Sequence, residues 1–184
     1  MKNTIASIVI SPSQTIRLRL GKHGRLVKAI LEDFAPRFAA GFELVYARSS
    51  GSDESFYAWQ RLNDLCVTAE KIGGLPDLVL YCLAKDRLFL VECVTGHGPI
   101  DEKRHDELSR MFKNARSELV FVSSFPSREI MSEHMMGIPW GTEAWCAQEP
   151  EHLIHFNSDQ LLGPQPVNQH PVGFHEMPDH RAAI

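Results

Sequence analysis

Cysteine is scarce in this chain. Cys66, Cys82, Cys93 and Cys146 are the four cysteines among 184 residues, and no two stand in CxxC spacing. Their apolar settings predict reduced core thiols of a cytoplasmic protein and argue against a thiolate nucleophile. Long apolar runs are missing as well. The run Ile5 to Ile10 is too short to span a membrane and carries no cleavage-like pattern, so neither a signal peptide nor membrane attachment is expected. No internal repeat occurs. Net positive charge is also lacking: the formal charge is −4, which argues weakly against a nucleic-acid binder. Distribution matters more than the sum. From Glu149 onward the chain holds five acids and one base, which leaves 18 bases against 18 acids before it. Two basic clusters stand in that balanced body: Arg17, Arg19, Lys22, Arg25 and Lys28, then Lys103, Arg104, Arg110, Lys113 and Arg116. Each is either a phosphate-contacting surface or an ordinary solvated helix face.

What is present is centred on Leu75 to Pro99, LPDLVLYCLAKDRLFLVECVTGHGP. Two apolar runs flank the polar turn Ala84-Lys85-Asp86-Arg87. Asp77 opens the first run and Glu92 lies inside the second. A carboxylate within a Leu/Phe/Val strand is costly unless something neutralises it. Pairing Leu83 with Leu88 places Asp77 opposite Val94 and diagonal to Glu92, so both acids share a face. Such a pair suits a hard divalent ion such as magnesium. The bland alternative is a strand-start Asp and an unrelated edge Glu.

The remaining pattern gives an element order. Residues 1–20 read as a leader with short strands at Ile5–Ile10 and Thr15–Leu20. Val27, Ile30, Leu31 and Phe34 predict a helix over 23–34, ended with the help of Pro36. A strand follows at Phe42–Ala47, then a polar loop at 49–55 and a helix over 56–69. Beyond the hairpin come a helix over 101–114, a strand at Leu119–Ser123, a helix over 127–136 and strands at 143–147 and 152–156. Residues 164–184 are rich in Pro, His, Gln and Asn and read as a disordered tail, which leaves 21–163 as the main domain. The expected class is α/β, a mixed central sheet flanked by helices.

Several segments carry a resemblance: GKHGRLVKAILEDFAPRFA, LPDLVLY, LFLVECVTGHGPIDEKRHDEL, VFVSSFP, IPWGTEAW, and HLIHFN followed by LLGP. They resemble the catalytic half of the BsuBI/PstI restriction endonuclease family, within the PD-(D/E)XK nucleases. The resemblance implies a restriction-endonuclease-like core of helix, three strands, helix and strand. It implies magnesium-dependent hydrolysis of double-stranded DNA at a short palindrome, with Asp77 and Glu92 as catalytic metal ligands. A palindrome and a double-strand cut imply a homodimer. A true restriction system would add a cognate DNA methyltransferase.

The chain departs from that pattern in three places. The family's enzymes carry a further N-terminal region. Ala47-Arg48-Ser49 stands where the family usually has Gly-Asp-Thr and a Lys soon after. Gly141, not Glu, follows Trp140, although Glu143 and Trp145 are kept. A second reading is therefore a catalytically impaired nuclease domain that binds DNA or protein.

Many nucleases of this type place a Lys two residues after the Glu, and here Val94 occupies that position. Lys103, in the first turn of the helix after Gly98-Pro99, is the leading substitute, with Arg104 beside it and Lys28 more remote. Their alternative role is as solvated bases. His97, in the loop leaving the acid-bearing strand, is a candidate to donate to a leaving oxygen or touch a phosphate, against a purely local hydrogen bond. Glu32 falls opposite the apolar helix face, so solvent exposure is expected. Trp140 and Trp145 are expected to be packing anchors.

Overall fold

The computed structural model describes residues 4–11, 14–49, 55–66 and 73–156. The tail expected over 164–184 lies outside them. The chain runs β1 (Ile5–Ser11), β2 (Gln14–Arg19), α1 (Lys22–Ala29), a π turn (Ile30–Phe34), α2 (Ala35–Phe38), β3 (Glu43–Ala47), β4 (Phe56–Tyr57) and α3 (Trp59–Asp64). It continues with β5 (Leu78–Cys82), β6 (Arg87–Cys93), α4 (Glu102–Met111), β7 (Glu118–Phe125), α5 (Arg128–His134), β8 (Thr142–Cys146) and β9 (Leu153–His155). Seven strands form one mixed sheet in the order β4-β3-β5-β6-β7-β8-β9. β3, β5 and β6 are an antiparallel meander, and β6, β7 and β8 run parallel. Parallel neighbours need crossovers, which α4 and α5 supply.

The sheet buries both faces, which explains the near-continuous apolar runs of β5 and β6. Successive side chains alternate between two cores. Leu78, Leu80, Phe89 and Val91 pack with Val27, Ile30 and Phe34 on the α1 side. Val79, Leu88 and Leu90 pack with Leu62, Leu108 and Phe112 on the α3/α4 side. The hairpin β1–β2, expected as a leader, is joined to the first core through Ile8, Ile16 and Leu18.

Sequence and structure part at five points. The helical run does not stop ahead of Pro36 but continues through it, in α2, to Phe38. The π turn widens the helix there, and the Ala35 amide reaches the Ile30 carbonyl. Pro36 has no amide, and in α geometry its ring would meet the carbonyl four residues back, so a wide turn accommodates it. Phe56 and Tyr57 form an edge strand, not helix, because they pair with Ala47 and Tyr46. The turn of the β5–β6 hairpin falls one residue early: Cys82 pairs with Arg87, and Leu83 is 72% exposed. Asp86 causes this. It takes a left-handed conformation, and its carboxylate accepts from the Tyr81 and Ser117 hydroxyls at 3.1 and 2.7 Å. Trp140 is 83% exposed, so it anchors nothing, whereas Trp145 is fully buried edge-on to Phe34. Finally, β6 ends at Cys93, and Val94 sits in a separate apolar cluster with Phe125, Met131 and Ile138, away from the acids.

Candidate active site

The observed pairing of Leu78 with Val91, continued one residue outward, sets Asp77 directly across from Glu92. The shift from the expected register is even, so the inference of a shared face survives it. Asp77 follows Pro76 at the mouth of β5 and is 9% exposed. Its Oδ2 accepts from the Cys93 amide at 2.8 Å, which locks it to the end of β6. Glu92 lies one residue before, with its carboxyl in hydrogen-bonding reach of Asp77. Burial, and then the charge of Asp77, push the Glu92 carboxyl up to about 7 from its ordinary 4.5, with the Arg104 guanidinium opposing the rise. Two carboxylates held together out of water favour a shared proton or a cation.

Two arginines bracket the pair. Arg104 Nε and Nη2 donate to Glu92 Oε1 at 2.8 and 2.7 Å. Arg48 Nε lies 3.2 Å from Asp77 Oδ1. Both guanidiniums also donate to the Leu75 carbonyl, Arg48 at 2.6 Å and Arg104 at 3.3 Å. Arg104 is set by the start of α4, where Asp101 accepts from the Arg104 amide as the helix cap. The approach to that cap is pinned as well, since the buried Ile100 amide donates to Ser123 Oγ at 3.0 Å.

The other sequence candidates lie elsewhere. Lys103 is not brought to the pair; its side chain is 83% exposed, and its ionic partner is Glu107 at 3.9 Å. Helical geometry turns neighbouring side chains about 100° apart, so Lys103 and Arg104 cannot both face the sheet. His97 is exposed in the turn after β6 and lines a cleft with Lys22, Arg25, Thr95 and Glu133, not with the carboxylates. Lys28 is paired with Glu32 on the outer face of α1, and Glu32 is exposed as expected. Sequence reasoning assigned no role to Arg48 or His23. Arg48 is the residue at the departure from Gly-Asp-Thr, one place past β3. A base where an acid is usual was a signal of relocated charge. The His23 ring stands beside Arg48, its Nε2 at 3.4 Å from the Arg48 carbonyl.

The donor chemistry fits a hard divalent ion. Two carboxylates converge at the end of the central strands, and a cation would offset the burial and the repulsion from Asp77 that raise Glu92. Arg48 and Arg104 already supply positive charge there, so an ion entering between the acids would loosen those contacts. The guanidiniums are shaped for paired hydrogen bonds to phosphate oxygens.

The mixed sheet has the fold of restriction endonucleases, and its acid pair lies where the amino end of β5 meets the carboxyl end of β6. The structure of the SdaI restriction endonuclease superposes with a TM-score of 0.80 at 34% identity, covering 88% of this chain and 51% of that one. The chain belongs to the BsuBI/PstI restriction endonuclease family, whose domain description matches residues 6–159. Among its relatives, the type II restriction enzyme BsuBI of Bacillus subtilis is 41% identical over 157 residues, which are 85% of this chain and 50% of that protein. The type II restriction enzyme AplI of Arthrospira platensis is 28% identical over 162 residues, again 85% and 50%. The chain thus spans about half the length of the curated relatives it matches. Among the described residues, no helix is long and apolar enough to cross a membrane.

Proposed function

We propose that Asp77 and Glu92 form the hydrolytic centre of a magnesium-dependent endonuclease that cuts double-stranded DNA in the manner of type II restriction enzymes. The observation that carries this reading is the convergence of two largely buried carboxylates on one sheet face where β5 meets β6, each bracketed by an arginine. Magnesium held by these oxygens would supply charge for the scissile phosphate and lower the pKa of an attacking water. The protein's own part follows from its geometry. The Cys93 amide orients Asp77 through Oδ2. Glu92, titrating near neutrality, accepts a proton from water. Arg48 and Arg104 move from the carboxylates to the phosphate, where their donors stabilise the charge that develops. Arg104 thereby takes the place that sequence reasoning gave to Lys103. We assign residues 21–163 with the β1–β2 hairpin to this unit. We also read the protein as cytoplasmic, as a homodimer cutting both strands of a twofold-symmetric site, and as paired with a DNA methyltransferase if it serves restriction.

One observation favours a second reading, a domain that binds DNA or protein without cutting. Each carboxylate is already matched by a guanidinium, and the Glu92–Arg104 pair is largely shielded, with 15% and 22% of the side chains exposed. Cleavage assays separate the two. With magnesium and duplex DNA of mixed sequence, the parent should cut, and Asp77→Ala and Glu92→Ala should lose cutting while keeping the parent's circular dichroism. Absence of cutting by the folded parent with magnesium or manganese, with DNA binding retained, would establish the second reading.

A further inference from the structure

His23, Asp77 and Cys93 come from three separate elements, yet one ring nitrogen, one carboxylate oxygen and one sulfur lie within 4.8 Å of one another. His23 is near the start of α1, Asp77 precedes β5 and Cys93 ends β6. Asp77 and Cys93 are 9% and 4% exposed, and His23 is partly buried. Cys93 belongs to the α1 core, on the face opposite Glu92, and Asp77, at the strand mouth, lies within reach of both.

We propose that these three side chains form a second cation site, for a borderline divalent transition ion such as Zn2+ or Co2+. The donor set decides the class. Nitrogen, oxygen and sulfur together match ions of intermediate softness, whereas magnesium prefers oxygen alone. Three protein donors leave a fourth position of a tetrahedron to water. The frame is held before any ion arrives. Asp77 is fixed by the Cys93 amide at 2.8 Å. The first turn of α1 is seated so tightly that a Cβ at Gly24 would stand 1.9 Å from the Arg19 carbonyl oxygen. Coordination by Cys93 requires its proton to leave to solvent.

Asp77 would belong to both sites. An ion at His23 and Cys93 draws on the same carboxylate that the nuclease reading assigns to magnesium, so zinc would compete with magnesium and suppress cleavage. The site itself does not depend on that reading, since its three donors suffice without DNA or cutting.

The test is titration of the whole protein with Co2+ alone, under a non-thiol reductant, read as the near-ultraviolet thiolate-to-cobalt charge-transfer band. One equivalent should develop the band, and Zn2+ should abolish it. Cys93→Ser and His23→Gln should each lose it, while Cys66→Ser should keep it. Glu92→Gln should also keep it, with cleavage lost. Histidine clusters elsewhere give no thiolate band, so they cannot imitate the signal. Absence of the band in the parent, or its survival in Cys93→Ser, overturns the proposal. Cutting by Glu92→Gln as fast as the parent, with the band intact, would instead overturn the nuclease reading and leave this site standing.

Discussion

The raised Glu92 carboxyl makes a stability prediction that needs no substrate. Its folded value is about 7 against an ordinary 4.5, chiefly through burial and Asp77. Between those values the folded protein binds a proton that the unfolded chain releases. Stability must therefore fall as pH rises through this interval and level off above it. For a single group shifted this far, linkage gives a loss of about 2–3 kcal/mol between pH 5 and pH 8. In a chain of 184 residues that corresponds to a melting temperature lower by roughly 5–10 °C. Glu92→Gln removes the titration and keeps an acceptor for Arg104. Melts or urea titrations of parent and variant, in EDTA, should converge at low pH and separate above neutrality, with the variant the more stable. Magnesium should restore the parent at pH 8 more than at pH 6, because the ion favours the ionised pair. Parallel curves for parent and variant from pH 5 to pH 8 would refute the account of a proton trapped by burial beside Asp77.

Two further outcomes follow from the same geometry. Arg104→Ala removes the guanidinium that opposes the rise of Glu92, so the acid limb of the cleavage profile should move toward alkaline pH. An unmoved limb in a pH–rate profile would show that Arg104 is not coupled to the reacting group. Gly24→Ala should destabilise the fold, although alanine is ordinarily better than glycine in a helix by about 1 kcal/mol. The new Cβ would meet the Arg19 carbonyl oxygen, a backbone atom that cannot swing aside, and chemical denaturation reads the sign directly.

Much of the central sheet was legible in the sequence because its strands are apolar on both faces and bounded by Gly, Pro and Asp. The shared face of Asp77 and Glu92 was legible for a more particular reason. Any error of an even number of residues in the pairing leaves side-chain parity untouched, and the actual error was of that kind. Other features depended on contacts that a linear reading does not contain. Asp86 chose the turn through Tyr81 and Ser117, the second of which is 31 residues away. Pro36 read as a helix stop, yet a single wide turn absorbs it. The sequence put Lys103 ahead of its neighbour Arg104, and the rotation of α4 reverses that order. Arg48 showed only as a departure from Gly-Asp-Thr, and His23 only as one letter of a longer similar segment, so neither acquired a role. Each matters through a neighbour distant along the chain.

The Leu75 carbonyl holds a consequence for how the acids are uncovered. One main-chain oxygen receives a guanidinium from the strand side and another from the helix side, and its two lone pairs are then both engaged. The two arms work as a single clasp with a common rivet. Because both arms are anchored on one oxygen, a displacement of the Leu75 main chain would carry Arg48 and Arg104 with it, and so shift the cover over Asp77 and over Glu92 together.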